Sequence, residues 1–182
     1  PPRALRPRDA RQLCLSVEAT LTPGGDRSMY TGSGQTDIDG EDLLHPRGAW
    51  ASAPVSIGHE AAIQRQRDGY GALIGYLAAT GTAGARSWPM VRGLADKVAA
   101  TWREPDSGIW EMRAEPRHFV LSKAMAWAAL TRAGSMARTL GFVGDTDTWE
   151  REAEAIRADV LASGFDAERG SLGSDEGGDL LC

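Results

Sequence analysis

The chain has 182 residues, 42% apolar and 25% charged, with a formal net charge of -5. That is ordinary for one soluble domain with a sizeable core. The acidic balance without a basic cluster argues against a nucleic-acid partner, no apolar run approaches the roughly 20 residues of a membrane span, and two cysteines, Cys14 and Cys182, are too few for a disulfide framework.

Taken in order, residues 1–7 are Pro- and Arg-rich, and residues 8–21 carry Leu13, Val17 and Leu21 at helical spacing behind Asp9. Residues 26–56 form a long segment rich in Gly, Ser, Asp and Pro. Segments of that kind inside a domain are functional or disordered. Met29, Tyr30, Ile38, Leu43, Leu44 and Trp50 favour the functional reading over a linker. Residues 59–80 read as a helix with Ile63, Tyr70, Leu73, Ile74 and Leu77 on its apolar stripe. Gly69, Gly71 and Gly75 within it suggest close approach of another backbone. Residues 88–103 make a two-faced helix with Pro89 in its first turn. A second two-faced helix spans 148–163, introduced by Asp145 and ended by Gly164.

Between the last two lies the element 117–133; from Phe119 to Leu130 it is apolar all round apart from Ser122 and Lys123, which predicts a helix covered on every side. Helices buried on most sides (59–80 and 117–133) therefore alternate with half-exposed ones (88–103 and 148–163), and no convincing strand competes with them. An inner ring of helices covered by an outer ring has this pattern, whereas a plain bundle does not require it.

The stretch most suited to chemistry is the loop 104–116, which runs into the buried helix. It carries Asp106, Trp110, Glu111, Arg113 and Glu115, with Arg117 just beyond. Loops held by rigid elements are common homes for catalytic groups. Apolar contact with a ring such as Trp110 would raise the pKa of the Glu111 carboxyl, as a general acid requires. Lys123, on the buried helix, must be paired, either at an inner rim or in a structural ion pair.

The ordered strings Asp106-Ser107-Gly108-Ile109-Trp110-Glu111-Met112-Arg113, then Glu115-Pro116-Arg117-His118-Phe119, then Ser122-Lys123-Ala124-Met125-Ala126-Trp127 resemble the catalytic-domain signature of glycoside hydrolase family 15. Met29-Tyr30, Asp39-Gly40-Glu41, His45, Pro54-Val55-Ser56-Ile57-Gly58 and Gln64-Arg65-Gln66-Arg67-Asp68-Gly69-Tyr70-Gly71 add to the resemblance. His59, Arg67, Ala72 and Ala114 depart from the family's usual Asn, Leu, Glu and Gly.

The resemblance implies an all-α fold, an (α/α) toroid or six-hairpin barrel, with residues 1–182 supplying about half of its helices. It implies hydrolysis of α-glucosides such as maltooligosaccharides, dextran or trehalose, with inversion. Glu111 would be the general acid. Trp110 and Arg113 would shape the sugar subsite, with Asp106, Glu115, Arg117 and Lys123 as further substrate contacts. No metal or cofactor is expected; His45, His59 and His118 lack metal-ligand spacing. Inversion needs a second carboxylate roughly 6.5–9.5 Å from the acid. In the family it lies beyond this stretch, so the chain reads as a piece of a longer protein that does not hydrolyse substrate by itself. The remainder of the catalytic domain is the expected partner. The rival reading is an inactive helical module that binds carbohydrate or another protein. No signal peptide is visible, so a cytoplasmic site is expected.

Overall fold

A computed structural model of the chain describes residues 41–43, 48–51, 53–57, 64–110, 115–168 and 170–173. The expected 8–21 helix, most of the 26–56 segment, both cysteines, His45 and His59 lie outside the described residues. The four described helices are α1 (Asp68–Thr80), α2 (Trp88–Thr101), α3 (Val120–Leu140) and α4 (Thr146–Ser163). Contrary to the strand-free expectation, two short antiparallel hairpins accompany them. Strands β1 (Glu41–Leu43) and β2 (Val55–Ile57) pair with Asp42 opposite Ser56, and β3 (Phe165–Asp166) pairs with β4 (Ser171–Leu172). Such two- and three-residue pairings are too short to leave a periodic signal in the sequence.

Helix α1 starts later than the periodicity suggests. Residues 64–67 are not helical, because their backbone is committed elsewhere. The Arg65 carbonyl accepts from Ser107 N at 2.9 Å, and Arg67 N donates to the Asp106 carboxylate at 3.0 Å. Helix α3 also starts late, at Val120, since Arg117 exchanges backbone hydrogen bonds with Asp106. It then runs through Gly134 to Leu140 and stops where Gly141 takes the left-handed conformation (φ 70°). Gly134 costs about 1 kcal/mol relative to Ala, and the buried neighbours Leu130, Ala133 and Ala137 hold the helix across it. Helix α4 is capped as expected. The Asp145 carboxylate accepts from Thr148 N at 3.1 Å.

The directions of the helices follow from their contacts. Gly71 of α1 lies against the Met125 backbone of α3, and one turn later Gly75 lies against the Arg132 side chain. Contacts advance together along both helices, so α1 and α3 run parallel. On α2 and α4, Asp96 accepts from the Trp149 indole at 2.9 Å and Trp102 donates to Glu152 at 3.0 Å, again advancing together. Lys123 with Asp159 and Arg138 with Glu150 show α3 and α4 antiparallel. The parallel pair α1 and α3 is thus backed by the parallel pair α2 and α4 running the other way. This is the inner-and-outer alternation of an (α/α) toroid.

Small residues allow the inner pair to approach closely. Nothing wider than hydrogen fits at Gly71, where a Cβ would overlap the Met125 carbonyl. The outer layer is held by a cluster in which Trp88 stacks on Phe142 at 5.1 Å and meets the edge of Trp149 at 6.2 Å. Both indole N–H groups are satisfied, by Val143 O and Asp96, as buried tryptophans require. Helix α3 is not covered on every side: Leu121, Trp127 (41% exposed) and Leu140 face outward. No described helix is long and apolar enough to cross a membrane.

Candidate active site

The segment 64–67, the loop 104–110 and residues 115–119 meet at one end of the molecule, where the parallel helices α1 and α3 begin. Asp106 is the hub. It is only 2% exposed. Its carboxylate accepts from Arg67 N (3.0 Å), Gly108 N (3.2 Å) and Ser122 Oγ (3.1 Å). Its backbone pairs with Arg117 in both directions, at 2.9 and 2.8 Å, and this isolated bridge closes residues 107–116 into a loop. Ser107 N adds a bond to Arg65 O. Gly108 turns the chain with φ 64°, and a Cβ there would stand 2.8 Å from the Phe119 ring. The Asp-Ser-Gly triplet thus has a local reason: a buried acceptor, then a turn only glycine makes without strain.

A second tie lies beside Asp106. The buried Arg67 guanidinium donates to the Glu104 and Pro105 carbonyls and meets the Glu104 carboxylate at 2.6 Å. Arg65 also approaches Glu104, at 3.6 Å. Underneath, Lys123 of α3 (5% exposed) pairs with Asp159 of α4 and lies 5.7 Å from the centre of the Trp102 ring. The Trp102 indole and Arg103 both donate to Glu152. Those two donors, the indole first, hold the Glu152 carboxyl below its ordinary pKa.

Beyond the hub the loop opens outward. Trp110 is 78% exposed, Ile109 is half exposed, and Glu115 and Arg117 are exposed. Glu111 and Arg113, the expected general acid and its neighbour, lie outside the described residues. Of the residues the sequence nominates, Trp110, Glu115 and Arg117 therefore face solvent around the loop, while Asp106 and Lys123 lie beneath it. A cleft of about 10 Å³, about the space for one water, separates Arg67, Asp106, His118 and Lys123.

Three buried polar atoms gather at the same end without a hydrogen-bond partner among the described residues: Gln66 Nε2, Asp68 Oδ1 and His118 Nδ1. Unpaired buried polar groups call for an explanation beyond folding. Burial, with a smaller contribution from the charge of Asp106, pushes the Asp68 carboxyl above its ordinary pKa. Perturbed titration of this kind concentrates at functional sites. Sequence reasoning left Arg67 and Asp68 out of the site. The signal was present in the Gln66-Arg67-Asp68 string, but its helical reading put all three on a continuous helix.

The family Glycosyl hydrolases family 15 matches residues 6–178. The chain belongs to that family. It is similar to proteins named trehalase from Mycolicibacterium smegmatis, 40% identical over 157 residues, and Thermoplasma volcanium, 35% identical over 150 residues. These alignments cover 84% and 80% of the chain but 23% and 24% of those relatives. A trehalase of Mycobacterium tuberculosis is 36% identical over 143 residues, 76% of the chain and 21% of the relative. The chain therefore spans about a quarter of the length of the curated relatives it matches. No solved structure matches it significantly.

Proposed function

We propose that these residues supply the general-acid half of the active site of a glycosidase that hydrolyses α-glucosides, with trehalose the first substrate to test. The single observation that carries the reading is the loop itself. The described part of the family signature, Asp106 to Trp110, leaves a base that Arg65, Arg67, Arg117 and Ser122 tie to the start of the two parallel helices. There a side chain can be held still while its tip faces outward. Glu111 donates the proton to the departing glycosidic oxygen. Trp110, with its indole in the open, stacks on the apolar face of a sugar ring. Arg113, Glu115 and Arg117 hydrogen-bond to hydroxyls; a guanidinium fork suits two adjacent ones. Asp106 and Lys123 support these groups from below.

An inverting mechanism needs a second carboxylate to activate water on the opposite face of the sugar. We place it in the part of the protein that the matched relatives have and these residues do not span. That trehalose is the substrate rests on the names of the relatives.

The test is Glu111→Gln in the full-length protein, assayed with trehalose and with maltooligosaccharides. Loss of a general acid lowers kcat by about 10²–10⁴-fold. Turnover unchanged from wild type would remove Glu111 from the acid role. Cleavage of maltooligosaccharides but not trehalose would retain the chemistry and overturn the substrate.

A further inference from the structure

We infer that Arg67 and Asp106 form a double clamp that sets the position of the loop carrying Trp110 and Glu111; the catalytic consequence rests on the function proposed above. Arg67 is 7% exposed, although arginine is among the residues least often buried. Its guanidinium is not spent on packing the helix it precedes. It grips two successive carbonyls, Glu104 O and Pro105 O, together with the Glu104 carboxylate. All three acceptors belong to Glu104 and Pro105, the segment from which the loop departs. Through its own backbone N–H the same residue donates to Asp106 Oδ2, and Asp106 in turn ties Gly108 and Ser122. One residue thus holds the segment 104–105 by its side chain and the loop's hub by its main chain.

The ion pair as such contributes little, since half of the Glu104 side chain is in solvent. The carbonyl grips matter more. A guanidinium presents its donors in a rigid plane, so three acceptors engaged at once fix the segment 104–105 in position and in rotation. Asp106 adds its carboxylate, which accepts from Arg67 N, Gly108 N and Ser122 Oγ. Two residues later, Gly108 reverses the chain and delivers Trp110 outward. A shift of about 1 Å in the base of such a loop can cost about 10²-fold in rate. Arg67 and Asp106 are accordingly positioning residues rather than sugar contacts.

Arg67→Met keeps the apolar stem and the backbone N–H while removing the guanidinium; Asp106→Asn keeps the shape of the hub and removes its charge. In the full-length protein, hydrogen exchange at Ser107, Gly108 and Arg117 is expected to quicken about tenfold or more in both variants, while exchange in the middle of α2 stays at the wild-type rate. With trehalose, kcat is expected to fall about tenfold or more with KM within about threefold. Unchanged exchange at the three amides would overturn the clamp. So would a loss confined to KM, which marks a direct sugar contact. If either variant lowers the melting temperature of the whole protein, Ser122→Ala carries the test. It removes one donor to Asp106, and the same amides must exchange faster. Glu111→Gln separates the two readings, because it stops turnover and leaves exchange at wild type. If the wild-type protein hydrolyses no α-glucoside, the enzymatic reading falls and the exchange measurement still decides the clamp.

Discussion

Asp68 sits in the first turn of α1, where the helix dipole favours a negative charge. Its carboxyl nevertheless titrates above the ordinary range, because burial withdraws water from Oδ1 and Asp106 adds a like charge. A carboxyl with a raised folded-state pKa destabilises the fold once it ionises. Its cost is absent below the unfolded pKa and develops as pH rises through the folded value. Asp68→Asn is therefore expected to raise the melting temperature at neutral pH, with the gain disappearing in acid below the ordinary carboxylate range. Thermal melts across pH check this, and an equal gain at every pH would assign the effect to packing. Glu152 has the opposite sign. The Trp102 indole and Arg103 lower its pKa, so its contribution is full above the unfolded pKa and is lost as pH falls through the depressed one. At this scale the loop at 104–116 was legible in sequence, because its Pro and Gly punctuation lies in adjacent residues; the Trp110–Glu111 pair remains a proposal, with Glu111 outside the described residues. The clamp was not legible. Arg67 and Glu104 are far apart in the chain, and nothing in either neighbourhood names the other.

Among the helices, the glycines separate two effects that sequence alone merges. Gly71 and Gly93 both lie inside helices and both cost helix propensity. A Cβ at Gly71 would run into the Met125 backbone, whereas nothing lies within 4 Å of one at Gly93. Gly93→Ala is expected to stabilise the protein by about 0.5–1 kcal/mol. Gly71→Ala is expected to destabilise it by about 1–3 kcal/mol, since backbone cannot yield as a side chain can. Denaturant titration of both variants checks the pair of signs, and a stabilising Gly71→Ala would mean that α1 and α3 are not in close contact there. The periodicity located α1, α2, α3 and α4, and the expected close approach holds at Gly71. It erred at the ends of α1 and α3, where loop contacts take the backbone groups that another helical turn would use. It also expected α3 to be covered on every side, whereas Leu121 and Trp127 face outward.

At the scale of the whole molecule, two parallel helices backed by two antiparallel to them put the loop and the start of α1 at one end. At the other end a groove of about 270 Å³ separates Leu77 and Gly81 from Met136 and Leu140. That groove is bordered by the C-terminal ends of α1 and α3 and by Arg132, and it carries none of the signature residues. With the base placed elsewhere in the protein, residues 1–182 prepared alone are expected to release no glucose from trehalose at rates above the Glu111→Gln full-length variant. A coupled glucose assay checks this; turnover of enzyme-like rate (about 1 s⁻¹ or more) would mean that the base lies within these residues. The family and the helical class were written in the sequence, because a signature is a local string and a helix is a local hydrogen-bond pattern with a period of 3.6 residues. Which backbone groups the loop would take from α1, which buried arginine would hold it, and which carboxyl would be forced upward in pKa were settled only by the tertiary structure. Burial and long-range hydrogen bonds arise when distant segments meet, and no window along the chain contains both partners.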